Sequence, residues 1–206
     1  PGATLTINAN IKLDVCENFI NNGTLICAAG STVNFNGTGN QIVGGNLTGT
    51  NKFSNFMVTK STGTVNLLSS IEVAQDLTTV NATSILNTNG VDITIGRDFI
   101  NSHGATTFTG ISTSSSLIFN GTAAQIYNPN NNAATPTLTL NNVTMLNTGG
   151  AAGVTISTVN TPNMVLGTSG VLTLTSGRII TPNTQEVVAM NTANNAVSVG
   201  NTTSFV

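Results

Sequence analysis

The chain has 206 residues, of which 6% are charged, 39% hydrophobic and 4% aromatic, with a formal net charge of −2. An ordinary soluble domain is roughly 25% charged, and five Lys and Arg in all cannot make an electrostatic footprint for nucleic acid or anionic lipid. Apolar runs as short as Met164-Val165-Leu166 exclude a membrane-spanning helix, and a composition neither low in hydrophobicity nor high in net charge excludes disorder.

Along the chain, apolar residues recur at every second position in short runs. Leu5/Ile7, Ile11/Leu13/Val15 and Val33/Phe35 come first. Val65/Leu67, Ile71/Val73, Val91/Ile93/Ile95, Leu138/Leu140 and Val143/Met145 follow. Val154/Ile156, Leu172/Leu174 and Val197/Val199 complete the series. Period two over four to six residues predicts half-buried strands. Clusters of Asn and Gly separate the runs: Asn21-Asn22-Gly23, Asn36-Gly37-Thr38-Gly39-Asn40, Asn87-Thr88-Asn89-Gly90, Asn120-Gly121 and Asn128 to Asn132. Both residues tolerate left-handed backbone, so these clusters predict tight turns. Good helix formers are scarce beside 31 Asn and 36 Thr. The chain reads as all-β from end to end.

Two strings repeat. Asn18-Phe19-Ile20-Asn21 matches Asp98-Phe99-Ile100-Asn101, 80 residues on. Phe35-Asn36-Gly37-Thr38, with Gln41-Ile42, matches Phe119-Asn120-Gly121-Thr122, with Gln125-Ile126, 84 residues on. The slippage predicts a short insertion after Asn101. Such self-similarity marks solenoids and arrays. The predicted organisation is a single segment over 1–206 with repeats near 14–93 and 94–180.

Stacking of parallel coils accounts for the composition. Each outward residue of a solenoid lies about 4.8 Å from its counterpart in the next coil. Like charges repel at that spacing, whereas Thr and Asn ladders hydrogen-bond. The predicted fold is a right-handed parallel β-helix of about 8–10 coils, at roughly 20–25 residues per coil. An antiparallel β-sandwich is the alternative.

The run Asn18 to Thr24, then Ser31 to Thr38, then Phe56 to Val65, together with Val171 to Ile179, resembles a known family. It is similar to the repetitive β-helix segments of very large secreted surface proteins of the Bacteroidota, including gliding adhesins and other exports of the type 9 secretion system. The resemblance implies a cell-surface or extracellular setting, a right-handed parallel β-helix and adhesive or stalk roles. It carries no catalytic residue.

Chemistry is sparse. Asp92 and Asp98 flank Arg97 and form the one acidic cluster, a candidate carbohydrate site set against a plain surface ion pair. His103, the single histidine, sits in a predicted exposed turn without the partners of a zinc site or a catalytic triad. No cofactor or metal is expected. The Thr-x-Thr pairs at Thr4/Thr6, Thr135/Thr137/Thr139 and Thr173/Thr175 raise ice binding, although Thr is also simply a strong strand former.

The expected function is a non-enzymatic structural or adhesive module, outside the cell or on its surface. A carbohydrate-binding or polysaccharide-degrading β-helix and an ice-binding solenoid are the alternatives. No charged segment followed by an apolar stretch opens the chain, so a secretory leader is not read in it. A solenoid exposes unpaired backbone at its end coils. Neither end carries a helix or charged block to cover it, so the expectation is an internal segment of a longer chain, or one stacked on other subunits. Partners are accordingly flanking domains or stacked subunits, with a surface glycan or protein as ligand, and neither nucleic acid nor membrane.

Cys16 and Cys27 are the two cysteines. An antiparallel turn about Asn21-Asn22 would set them opposite each other at a Cα separation of about 4.5–5.5 Å, within disulfide range. They could also meet across the interior from successive faces of one coil. The other reading is two small thiols filling space.

Overall fold

A computed structural model describes residues 2–132, 137–149, 153–182, 184–198, 200 and 204–205. The period-two runs form short strands, and every strand pair is parallel. They wind into a β-solenoid of about 8 turns with three faces. The sandwich alternative is thereby set aside.

The first face stacks Lys12–Val15, Thr32–Phe35, Asn55–Val58, Leu77–Thr79, Phe99–Ile100, Gln125–Asn128, Val154–Ile156 and the end of Leu172–Ile180. The second stacks Phe19–Asn21, Gln41–Gly45, Thr64–Leu67, Ile85–Asn87 and Phe108–Thr109. A separate ladder follows, of Thr139–Leu140, Met164–Leu166 and Val187–Ala189. The third face opens with Thr4–Ile7 on Thr24–Cys27. It resumes with Ile71–Val73, Ile93–Ile95, Ser116–Phe119, Asn142–Leu146 and the start of Leu172–Ile180. Leu47 and Phe53 bridge to Ile71 and Val73 across the gap. Leu172–Ile180 belongs to two faces because it turns a corner without ending. Gly177 makes that turn at φ +79, where a side chain would be strained and would crowd the Asn147 carbonyl.

Backbone pairing sets coil length. Ile71 pairs with Ile93, Ile93 with Leu117, Leu117 with Val143 and Val143 with Leu172, steps of 22, 24, 26 and 29 residues. Apart from a bulge between Met145 and Leu146, the strands stay in register, so the extra residues are taken up in the corner loops. Val33, Phe56, Leu77, Phe99 and Tyr127 occupy successive inward positions of the first face, all fully buried. Phe35, Phe53 and Phe56 cluster with Phe19 in the early coils, and Phe99, Phe108, Phe119 and Tyr127 in the middle ones. Among the described residues no helix is long and apolar enough to cross a membrane.

Tyr127 stacks on Phe99 at 5.6 Å, yet its hydroxyl is buried without a hydrogen-bond partner, and burial pushes its phenol well up. An unsatisfied buried hydroxyl costs roughly 1–3 kcal/mol. Tyr127→Phe therefore stabilises the protein by about 1 kcal/mol, read as a higher urea midpoint at unchanged slope.

Asparagine explains how the coils are joined at their corners. Asn18 Oδ1 accepts from the Ile42 N–H at 2.8 Å, Asn40 from Thr64 at 3.0 Å, Asn55 from Asp76 at 3.2 Å and Asn163 from Glu186 at 2.9 Å. Each bond spans one coil. The carbonyl of an Asn side chain replaces a ladder acceptor where the backbone bends away, which is why these residues mark the corners. The strings that repeat in the sequence are such corners. Phe19 lies on the second face and its match Phe99 on the first; Phe35 lies on the first and its match Phe119 on the third. The repeat thus reproduces a strand–corner–strand unit on a different face, and its period is not a whole number of coils.

Candidate functional site

The parallel register places Asp76 beside Arg97 and Asp98, one coil on. Arg97 Nε and Nη2 donate to the two carboxylate oxygens of Asp76 in a bidentate pair, each at 2.5 Å. The Asp98 N–H donates to Asp76 Oδ1 at 3.3 Å, and Asp98 Oδ1 accepts from the Ile126 N–H at 2.8 Å. Asp92 is not part of this cluster. It precedes Ile93–Ile95 whereas Asp98 follows it, and its Oδ1 accepts from the Ser116 N–H at 2.8 Å. The expected grouping of Asp92, Arg97 and Asp98 is thus corrected to Asp76, Arg97 and Asp98. Neighbours along the chain alternate sides, while neighbours in space come from the adjoining coil.

Burial raises the Asp98 carboxyl pKa, and the Asp76 charge adds to the shift. The hydrogen bond from Arg97 to Asp76 raises the guanidinium further. Both carboxylates are bound to the fold: Asp76 to Arg97 and a backbone N–H, Asp98 to the next coil. Lys52 and Glu72, 2.9 Å apart, form a second corner pair, with Glu72 Oε2 accepting from the Gly49 N–H. Exposed pairs of this kind contribute little to stability.

A folded-state pKa above the unfolded value means that ionised Asp98 costs stability at neutral pH. That cost falls away as pH drops through the folded-state pKa. Asn18, the matching residue of the repeat, makes the same bond without charge. Asp98→Asn therefore raises stability near neutral pH by up to about 0.5 kcal/mol. The gain vanishes below the ordinary aspartate range of about 3.9. Thermal melts of both proteins across pH check this.

The densest polar chemistry lies where the sequence offered no candidate. At the corner leaving the first face, Gln41 is buried. Its Oε1 accepts from the Gly37 N–H at 3.1 Å, and its Nε2 donates to the Val15 and Glu17 carbonyls at 2.8 and 2.7 Å. Gln125 does the same at the repeated corner, accepting from Gly121 and donating to the Ile95 and Arg97 carbonyls. A Cβ at Gly37 would collide with the Cys16 carbonyl. The coil above supplies a further donor in each case. Lys60, 0% exposed, donates through Nζ to the Gly37 and Gly39 carbonyls and to Gln41 Oε1. Asn147 Nδ2 donates to the Ala123 carbonyl and Gln125 Oε1, each at 2.8 Å. Burial lowers the Lys60 pKa.

The polar column continues upward through Thr79, Asn101, Ser102 and Thr107, with Thr79 and Thr107 both donating to Asn101 Oδ1 at 2.8 Å. The repeated string already contained Gln41 and Gln125, each where a strand pattern begins with a polar residue. Lys60 carried no sequence signal.

His103 is half-buried, with Nδ1 enclosed and unpartnered, not the exposed turn residue expected. It precedes the short 3₁₀ turn Gly104–Thr106, which occupies the expected insertion after Asn101. Cys16 and Cys27 are free. Phe19–Asn21 and Thr24–Cys27 do not pair as a hairpin; they join the second and third faces. Cys27 is paired with Ile7, and Cys16 donates weakly to Asn36 Oδ1 at 3.5 Å. The antiparallel turn that would have opposed them is replaced by a parallel coil. Among the described residues no group of three or more His, Cys, Asp or Glu is arranged to hold a metal ion. Comparison with known protein families, curated proteins and solved structures found no match to this chain.

Proposed function

We propose that this chain is a non-enzymatic structural or adhesive module of an extracellular or cell-surface protein. The observation that carries the proposal is the first face, an unbroken ladder of eight parallel strands from Lys12 to Ile180. With side-chain bonds joining the coils at the corners, it makes a stiff rod about 40 Å long at roughly 4.8 Å per coil. The resemblance to repetitive surface β-helices points the same way and carries the location. The outer edges of Thr4–Ile7, Lys12–Val15 and Phe19–Asn21 have no strand partner among the described residues. A flanking domain or stacked subunit would add its coil there.

Two observations weigh against the alternatives. The corner carboxylates Asp76 and Asp98 are taken up by Arg97 and backbone N–H groups rather than aimed at one open point. The outward column of the third face reads Glu72, Thr94, Ile118, Thr144, Thr173, a mixture rather than a Thr lattice. The test is a panel of surface glycans, extracellular proteins and soluble polysaccharides offered to the immobilised chain. The proposal expects saturable binding to one ligand with no change in any polysaccharide. Turnover of a polysaccharide, abolished by Asp98→Ala, overturns it.

A further inference from the structure

Four Asn-Gly pairs occur in the chain, at 22–23, 36–37, 89–90 and 120–121. The pair has intrinsic chemistry. The glycine backbone nitrogen attacks the Asn Cγ, a C–N bond forms, and Nδ2 leaves as ammonia. The resulting cyclic imide is opened by water to aspartate or isoaspartate. The attacking nitrogen must give up its proton and turn toward Cγ, which a hydrogen bond from that N–H to a fixed acceptor opposes.

The fold engages all four nitrogens, but not equally. Gly37 and Gly121 are buried, and their N–H groups donate to Gln41 and Gln125, whose other bonds reach the adjoining coils. Freeing either nitrogen means extracting a buried glutamine from its clamp. The Gly90 N–H donates to the Gly110 carbonyl of the next coil at 2.8 Å. The Gly23 N–H instead donates to Asn21 Oδ1, two residues back in the same turn, at 3.1 Å. Asn21 is held to the next coil by a single bond, from its Nδ2 to the Asn46 carbonyl at 2.6 Å, where Gln41 and Gln125 are each held by three, and Asn22 is exposed.

We propose that Asn22-Gly23 is the site at which the folded chain deamidates, and that an acceptor from the next coil at 89–90, and triply clamped buried glutamines at 36–37 and 120–121, protect the other pairs. The isoaspartate product would lengthen the backbone by one methylene in the turn between Phe19–Asn21 and Thr24–Cys27, altering the first coil alone.

The test holds the whole folded chain at mildly alkaline pH, well below its melting temperature, and follows all four sites by peptide mapping. Product at Asn22 is expected to lead Asn36 and Asn120 by about tenfold or more, with Asn89 between, because exchange-type chemistry follows local opening. In urea the four rates should converge. Equal rates in the folded protein overturn the proposal, as does a ranking that persists in urea. Amide hydrogen exchange of the unmodified chain is a second measurement that needs no variant. Gly23 is expected to exchange fastest of the four glycines and Gly37 and Gly121 slowest; the reverse order refutes the mechanism. Asn21→Ala should speed Asn22 alone.

Discussion

Replacing Gln41 by Leu is expected to lower stability by about 4 kcal/mol, the largest loss from any single side chain discussed, on the basis that each stranded buried polar group costs roughly 1–3 kcal/mol. The change fills the site with an apolar side chain and removes every polar atom. It strands the buried Gly37 N–H, deprives the Glu17 carbonyl of its donor and takes one of three acceptors from the Lys60 ammonium. The Val15 carbonyl is spared, since it also accepts from Asn36. Gln125→Leu should cost less, because the neighbour it deprives is the neutral Asn147. Urea unfolding gives the totals. In a solenoid, stability sums over repeats and their interfaces. Hydrogen exchange should therefore place the Gln41 loss in the coils around residues 32–67 and the Gln125 loss around the strands that flank residue 125.

Lys60→Met is expected to cost about 2 kcal/mol, within the 1.5–3 kcal/mol range for bonds to a charged group. Methionine keeps the length and the apolar stem while removing the ammonium. The Gly37 and Gly39 carbonyls lose their donor. Relief of the desolvated charge offsets part of the loss, because no carboxylate pairs with Lys60 among its hydrogen-bond partners. The sign of the pH dependence follows from the lowered pKa. Between the folded and unfolded values the unfolded chain binds more protons, so stability contributed by this group rises with pH in that window. The window ends at the ordinary lysine value of about 10.4. The Met variant lacks this rise. Paired with Gln41→Leu it should be markedly non-additive, since both changes act on one hydrogen-bonded cluster. A double-mutant cycle by urea titration measures the coupling; additive losses would show that the two side chains act separately.

The corner chemistry separates what was legible in the sequence from what was not. Leu5/Ile7, Ile71/Val73 and Ile93/Ile95 announced strands because alternation is a property of the backbone itself: successive side chains point to opposite faces whatever lies beyond. The Asn-Gly clusters announced corners because a residue's tolerance of left-handed backbone is likewise local. Low charge with abundant Thr and Asn identified stacked parallel coils, since identical positions a strand spacing apart select against charge. The amino-acid sequence alone therefore determined the all-β class and the inward apolar stack, and favoured the solenoid over the sandwich.

Which residues meet across coils was decided only in three dimensions. Arg97 pairs with Asp76 rather than Asp92, Lys60 reaches Gln41, and Cys16 and Cys27 go to different partners. Each coil closes after a number of residues set by its corner loops, here 22 to 29 between Ile71 and Leu172. A change of one residue in a loop alters the sequence separation of the residues that meet across it, while the strands themselves keep their partners. Local pattern holds no record of that count; the register of the backbone ladder does, because strands slip only at the cost of turning their apolar side chains outward.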